Sequence, residues 1–201
     1  MNITMKRFIF LLLGLVLLIP FNLQAQSKDK GFFVEGNLSY ASDYWKNYKY
    51  DGGITDEFFI IIPTVGYQFN EKWSVGFKVG FSTSGNYMFN WNSYTPFIRY
   101  NILSFGKTCL FTEAKVSKFD WEEILDGGRN NDFIEAGFSL GISYPFNEHL
   151  KLVCQYLHIG YSNEYKDSNK RCSKHGLNLH SGDWVLDANI KRLSIGVSWT
   201  F

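Results

Sequence analysis

The chain has 201 residues, enough for one ordinary domain, with 20 basic and 19 acidic side chains and a formal net charge of +1. Such a balance gives no support to nucleic-acid binding, which needs a concentrated basic surface. Three cysteines, Cys109, Cys154 and Cys172, are too few and too scattered for a disulfide framework. Aromatic residues reach 18%, a composition typical of strands.

The first 25 residues predict a secretory signal peptide. Positive charges at residues 6–7 precede an apolar run at 8–19, Pro20 ends the run, and Ala25 supplies a small-residue cleavage site. The run is shorter than the roughly 18 to 20 residues that a membrane-spanning helix needs. We therefore expect an exported protein in which residues 26–201 form a single domain.

The remainder repeats segments of about ten residues in which apolar and polar side chains alternate, the period of a strand with two unlike faces. The cleanest segment is 73–82, and the least regular is 150–162, where the parity changes after Tyr156 and suggests a β-bulge. We predict eight strands, at residues 32–43, 58–69, 73–82, 94–102, 108–119, 133–146, 150–162 and 189–201.

The connections between these strands alternate in length. Three are tight, at 70–72, 103–107 and 147–149, whereas four are long and polar, at 44–57, 83–93, 120–132 and 163–188. Short turns at one end and long loops at the other are typical of outer-membrane barrels, in which the short turns face the periplasm. The pattern predicts an all-β fold, an eight-stranded antiparallel up-and-down transmembrane β-barrel.

A soluble β-sandwich or a lipocalin-type barrel also alternates, with its apolar face turned inward. The composition of the two faces favours the membrane barrel, because the polar face is rich in Gly and Ser, which suits a crowded lumen. A basic residue on the lipid side would cost about 2 to 4 kcal/mol near the midplane. We expect an interior charge network made of the six mid-strand charges on the Gly/Ser face, Glu35, Lys78, Arg99, Glu113, Lys115 and Glu135.

The last strand ends in Leu193-Ser-Ile-Gly-Val-Ser-Trp-Thr-Phe201, which resembles the closing strand by which outer-membrane proteins are recognised for assembly. The blocks at 63–70 and 140–147 resemble the strand-and-turn units of the small outer-membrane β-barrel domain family common in Bacteroidetes. The resemblance implies an outer-membrane location, contact with membrane lipid and lipopolysaccharide, and insertion by the barrel-assembly machinery with Phe201 as assembly signal. No cofactor is expected.

An enzymatic alternative rests on His158, Ser162 and Glu164, which are similar to the His/Ser/acid set of lipid A deacylase barrels. In that family the histidine and serine are two residues apart, whereas here they are four apart. On a strand this separation is roughly 13 Å, too long for a direct hydrogen bond unless a bulge shortens it. A strand-end histidine beside a polar loop is the simpler interpretation.

Cys172, His175 and His180 fall in the last long loop, and side chains of these types bind zinc or copper. Their spacing matches no compact ligand motif, and a fourth ligand such as Asp183 or Asp187 has to be assumed. A solvated polar loop is the simpler interpretation, so we expect no metal.

The function predicted from the sequence is that of an outer-membrane barrel with a closed polar interior. Its extracellular loops bind a ligand or support the integrity of the envelope; aromatic residues such as Trp45, Trp121 and Trp184 provide the material for recognition or for a membrane-interface girdle. The alternatives are a lipid A-modifying enzyme and a small gated pore.

Overall fold

The computed structural model describes residues 30–46, 53–83, 89–123, 129–130, 132–163, 177–181, 184–188 and 190–201. Apart from one 3-10 turn, Ile190–Arg192, its regular structure is entirely β. In chain order the strands are β1 Gly31–Lys46, β2 Gly53–Gln68, β3 Trp73–Thr83, β4 Phe89–Phe105, β5 Thr108–Glu123, β6 Arg129–Asn130, β7 Phe133–Pro145, β8 Leu150–Ser162, β9 Leu177–Ser181, β10 Trp184–Ala188 and β11 Ser194–Thr200.

The strands close into an antiparallel barrel with eight wall positions, which confirms the predicted fold class. Each long strand pairs with the next along the chain, and β11 pairs with both β8 and β1 to complete the ring. The short β6 pairs with the end of β5, and β9 pairs with β10. The described part of the chain contains no helix with the length and hydropathy of a membrane span.

The predicted division of the two faces is also confirmed. Phe138 and Leu38 are more than half exposed on the outside of the wall, whereas Thr64, Ser139 and Ser198 on the other face are almost completely buried. Alternation therefore separates a lipid-facing surface from a packed lumen, as expected for a small barrel.

Aromatic side chains collect on the outer surface near the short-turn end, the end that carries the connections 69–72, 106–107 and 146–149. Trp73 lies 4.5 Å from Tyr100 between ring centroids, and Phe32 lies 5.0 Å from Tyr67. Rings of this kind are typical of a membrane interface.

The predicted long loops are wrong in extent. Strand β1 continues to Lys46 and β2 begins at Gly53, so residues 44–46 and 53–57 belong to strands; β4 and β5 likewise lengthen at the expense of 83–93 and 120–132. The predicted loop 163–188 contains β9 and β10. Beyond the bilayer neither face of a strand has to be apolar, so the backbone ladder persists without the alternation that predicts it.

The predicted bulge in the seventh segment is confirmed at Leu157, whose φ of 72° lies in the left-handed region. Phe138 pairs with Ile159, whereas Leu140 pairs with Tyr156, so β8 gains one residue over β7. This extra residue reverses the parity of β8 and turns His158 inward.

The eighth wall position is interrupted at the same level, which corrects the predicted strand 189–201. Asp187 pairs with His158 and Ser194 pairs with Gln155, so two residues of β8 face six residues of the last wall position. The chain accommodates the surplus in the 3-10 turn between β10 and β11. Residues 190–193 consequently do not continue the alternation of β11.

Three phenylalanine–glycine pairs fill the lumen on the short-turn side of its centre. Each inward phenylalanine lies directly across from a glycine of the neighbouring strand, in the pairs Phe33–Gly66, Phe97–Gly76 and Phe111–Gly141. In each pair a methyl group on the glycine would overlap the partner ring. Glycine is thus required here because the ring lies on the backbone of the next strand.

Gly141→Ala tests this packing, with Gly36→Ala as the matched control. An added Cβ at Gly141 would lie 2.6 Å from Phe111 Cε2 and 2.8 Å from the Cys154 carbonyl oxygen, whereas one at Gly36 has no atom within 4 Å. We expect Gly141→Ala to lower the free energy of unfolding by about 1–3 kcal/mol, the usual cost of overpacking a core. Urea titration of the detergent-refolded protein measures this change, with the gel mobility of unboiled samples as the readout of folding. Equal stability of the two variants would contradict the ring-on-glycine packing.

Candidate functional site

Arg99 lies at the centre of the polar lumen and joins two acidic side chains. Its Nη1 and Nη2 donate to the two carboxylate oxygens of Glu35 at 3.0 and 3.2 Å, and its Nε and Nη2 donate to Glu113 Oε2 at 3.2 and 3.1 Å. The three lumen phenylalanines surround the guanidinium; its Cζ lies 4.5 Å from the ring centroid of Phe111 and 5.3 Å from that of Phe97. The group thus combines fork-type ion pairing with contacts to aromatic faces.

Lys78 completes this level of the lumen. Its Nζ donates to Glu113 Oε1 at 2.5 Å and to Gln155 Oε1 at 2.8 Å, and Gln155 Nε2 in turn donates to Ser139 Oγ at 3.0 Å. Glu113 therefore carries two cations, one on each carboxylate oxygen. We call Glu35, Lys78, Arg99, Glu113 and the three ring–glycine pairs the Arg99 layer.

A second cluster lies in the lumen at the level of the bulge. Arg192, from the 3-10 turn, donates from Nη1 and Nη2 to the two carboxylate oxygens of Glu135 at 2.8 and 2.7 Å. Its Nε donates to Asp187 Oδ2 at 2.8 Å. Both carboxylate side chains are at most 1% exposed. Arg192 therefore links the interrupted wall position to β7 by buried ion pairs across the lumen.

Sequence reasoning did not identify Arg192, and it considered Asp187 only as an assumed metal ligand. Asp187 belongs to the short strand β10, which lies outside the predicted strands, and Arg192 belongs to the 3-10 turn, where the alternation predicted for 189–201 does not hold. Lys115 occupies an inward register position between Phe97 and Gly137. Together the described residues place four acidic and four basic groups at these two levels, Glu35, Glu113, Glu135 and Asp187 against Lys78, Arg99, Lys115 and Arg192.

His158 and Ser162 both point into the lumen and are fully buried. The bulge precedes both residues, and β8 is regular from His158 to Ser162, so their four-residue separation is not shortened. Within the described part of the chain neither ring nitrogen of His158 has a hydrogen-bond partner. The His–Ser pair that a hydrolase needs is therefore not formed here, and Glu164 lies outside the described residues.

Of the metal candidates, Cys172 and His175 lie outside the described residues, and His180 belongs to β9. In the described ranges no group of three or more His, Cys, Asp or Glu side chains is arranged to hold a metal ion. Cys109 and Cys154 are free thiols on β5 and β8, with β7 between them.

Phe201 lies where the barrel closes at the short-turn end. Its backbone nitrogen donates to the Phe32 carbonyl oxygen at 2.9 Å, and the Thr200 nitrogen donates to the His149 carbonyl oxygen at 2.8 Å. The final residues are thus joined both to the first strand and to the turn between β7 and β8.

The closed eight-stranded wall, its apolar exterior and its charged, tightly packed lumen define an outer-membrane β-barrel. The chain belongs to the outer membrane protein beta-barrel domain family, whose model matches residues 9–201. No curated protein matches its sequence.

Solved structures of other barrels are similar to this chain. The crystal structure of Neisserial surface protein A is 16% identical, with a TM-score of 0.51 over 89% of this chain and 100% of that one. The N-terminal β-barrel domain of Pseudomonas aeruginosa OprF is 11% identical, with a TM-score of 0.53 over 86% of this chain and 99% of that one. At such identities the likeness concerns the fold alone.

Glu113→Gln tests how much the shared carboxylate contributes to the stability of the barrel. The change keeps the shape of the side chain but leaves Lys78 and Arg99 with one carboxylate partner fewer in a lumen where both are buried. Breaking a buried pair in this way costs about 3–5 kcal/mol, so we expect a large loss of stability in urea. Lys118→Gln removes an ion pair with Asp120 at the exposed surface and serves as the control, for which little change is expected.

The double variant Lys78→Met, Glu113→Gln separates charge imbalance from lost packing. It removes one charge of each sign, so it is expected to recover part of the stability lost in Glu113→Gln. A double variant less stable than the sum of the two single changes would contradict the pairing.

Proposed function

We propose that this protein is a non-conducting outer-membrane anchor that acts through its outer hairpins, by binding at the cell surface or by supporting the envelope. The observation that carries the proposal is the Arg99 layer. All three guanidinium nitrogens of Arg99 donate to carboxylates, and aromatic rings lie around it, so the lumen at this level is filled by side chains. A barrel that passes no solute has only its two ends and its lipid-facing surface with which to act.

The outer end offers the larger surface. The β1–β2 ladder continues to the pair Lys46–Gly53, seven pairs beyond Ser39, the last residue of β1 that pairs with β11. The β4–β5 ladder likewise extends to the pair Phe89–Glu123. Strands that continue past the closed part of the wall present a rigid platform, which favours recognition by preformed surfaces.

The proposal includes the route to the membrane. Residues 1–25 act as a signal peptide that is removed during export, and Phe201 contributes to recognition by the barrel-assembly machinery. The charge pattern at 6–7 and the apolar run 8–19 support the first step. The aromatic C-terminus joined to β1 supports the second. Contacts with membrane lipid and lipopolysaccharide follow from the apolar exterior.

Shortening the β1–β2 hairpin tests the surface role. Tyr44 pairs with Thr55, so replacing residues 45–54 by Asn-Gly joins the two strands in register through a two-residue turn. We expect this variant to fold like the parent, with the same heat-dependent shift in gel mobility. We also expect that it fails to restore the wild-type phenotype to a strain from which the gene is deleted. Phe138→Leu, a conservative change on the lipid-facing surface, is the control and is expected to restore it. Full restoration by the shortened variant would remove the basis for this role.

A further inference from the structure

A cavity lies at the periplasmic mouth of the barrel, beneath the Arg99 layer. Its volume is about 40 Å³, room for about three water molecules. Arg99 and Phe33 form its inner end, so the cavity is closed toward the outer half of the lumen. It is therefore a blind pocket open to the periplasm, distinct from the outer surface that carries the proposed function.

The pocket is lined by hydrogen-bond donors and by positive charge. Strands β3, β7 and β11 contribute hydroxyl groups and β8 contributes an ammonium group, through Ser74, Ser143, Ser198, Thr200 and Lys151. None of the described residues that line it is acidic. Glu35 and Glu113, which pair with Arg99, do not line it. Hydroxyl and ammonium groups at short range match an anion with several acceptor oxygens.

One side chain beside the pocket is left without a hydrogen-bond partner, and a second places a positive charge at the mouth. The Thr200 hydroxyl oxygen is inaccessible and has no hydrogen-bond partner within the described part of the chain, although its backbone nitrogen is fixed by the His149 carbonyl. Lys151 Nζ reaches across the mouth to Gln68 Oε1 at 3.2 Å, from β8 to a strand that is not its neighbour. The ammonium group is thereby held over the pocket.

We propose that this pocket binds a tetrahedral oxyanion of the phosphate type. A metal cation would meet Lys151 and, among the described lining residues, no carboxylate, and an apolar ligand would leave the hydroxyl groups unsatisfied. The opening toward the periplasm admits part of the anion while its remaining oxygens stay in water. The same chemistry comes from inorganic phosphate or from the phosphate of a phospholipid headgroup in the adjoining leaflet.

Inorganic phosphate is the first probe. The refolded full chain, in a detergent without phosphate, is titrated by calorimetry at an ionic strength held constant with chloride. We expect saturable binding to one site. Lys151→Gln is expected to weaken it at least about tenfold, the loss of one charge-assisted hydrogen bond, whereas Lys151→Arg retains it. Lys118→Gln is the control, because Lys118 is an exposed lysine of β5 that does not line the pocket, and this variant is expected to bind like the parent.

A second arm identifies the source of the phosphate. The protein is placed in vesicles of phosphatidylglycerol or of a glycolipid without phosphate, and the amide resonance of Thr200 is recorded. A shift of this resonance in phosphatidylglycerol vesicles but not in glycolipid vesicles, which is lost in Lys151→Gln, supports a lipid headgroup. A shift on addition of inorganic phosphate in glycolipid vesicles supports the free anion. Absence of both effects, or equal affinity of Lys151→Gln and the parent, overturns the proposal. Unboiled gel mobility verifies the fold of each variant, and Thr200→Val, which keeps the charge, is expected to weaken binding as well.

Discussion

The carboxylate of Glu113, shared between Lys78 and Arg99, is the interaction on which the rest of the lumen depends. Each oxygen of this group accepts from a different cation, and Arg99 also donates to Glu35. An eight-stranded wall leaves space for side chains and little else, so charges on the inner face have to neutralise one another. The second cluster obeys the same constraint, with Arg192 between Glu135 and Asp187. At the level of Arg99 this packing fills the lumen with side chains.

The interrupted wall position shows how the constraint reaches the backbone. A break in a membrane barrel exposes carbonyl groups that water cannot satisfy. Here the Tyr156 hydroxyl donates to the Ala188 carbonyl, the Ser39 hydroxyl donates to the Leu193 carbonyl at 2.6 Å, and the Leu193 nitrogen donates to the Ile190 carbonyl at 2.9 Å. The turn also delivers Arg192 to the lumen. An irregularity in the wall therefore supplies the cation for the second cluster.

The sequence predicts the barrel because two solvents act on its two faces, and alternation reports the difference between them. It therefore identifies the first seven strands of the wall and, through the parity change after Tyr156, the bulge at Leu157. It does not identify Asp187, which lies in a short strand within the predicted loop 163–188, or Arg192, which lies in a 3-10 turn that interrupts the alternation. Nor does it reveal the full length of the hairpins β1–β2 and β4–β5, since outside the bilayer no particular face of a strand has to be apolar. Pairing partners such as Glu113 and Lys78 are far apart in sequence, so only the closed ring brings them together.

Conductance across a planar lipid bilayer tests the sealed lumen most directly. The refolded protein, with its heat-dependent mobility shift as proof of folding, is inserted and held at constant voltage, and a porin of known conductance verifies the sensitivity of the membrane. The packing of Arg99 among Glu35, Glu113 and the phenylalanine rings predicts no conductance steps above the empty-bilayer baseline. Reproducible unitary conductance steps from the folded protein would contradict this packing, because ions would then pass the level of Arg99.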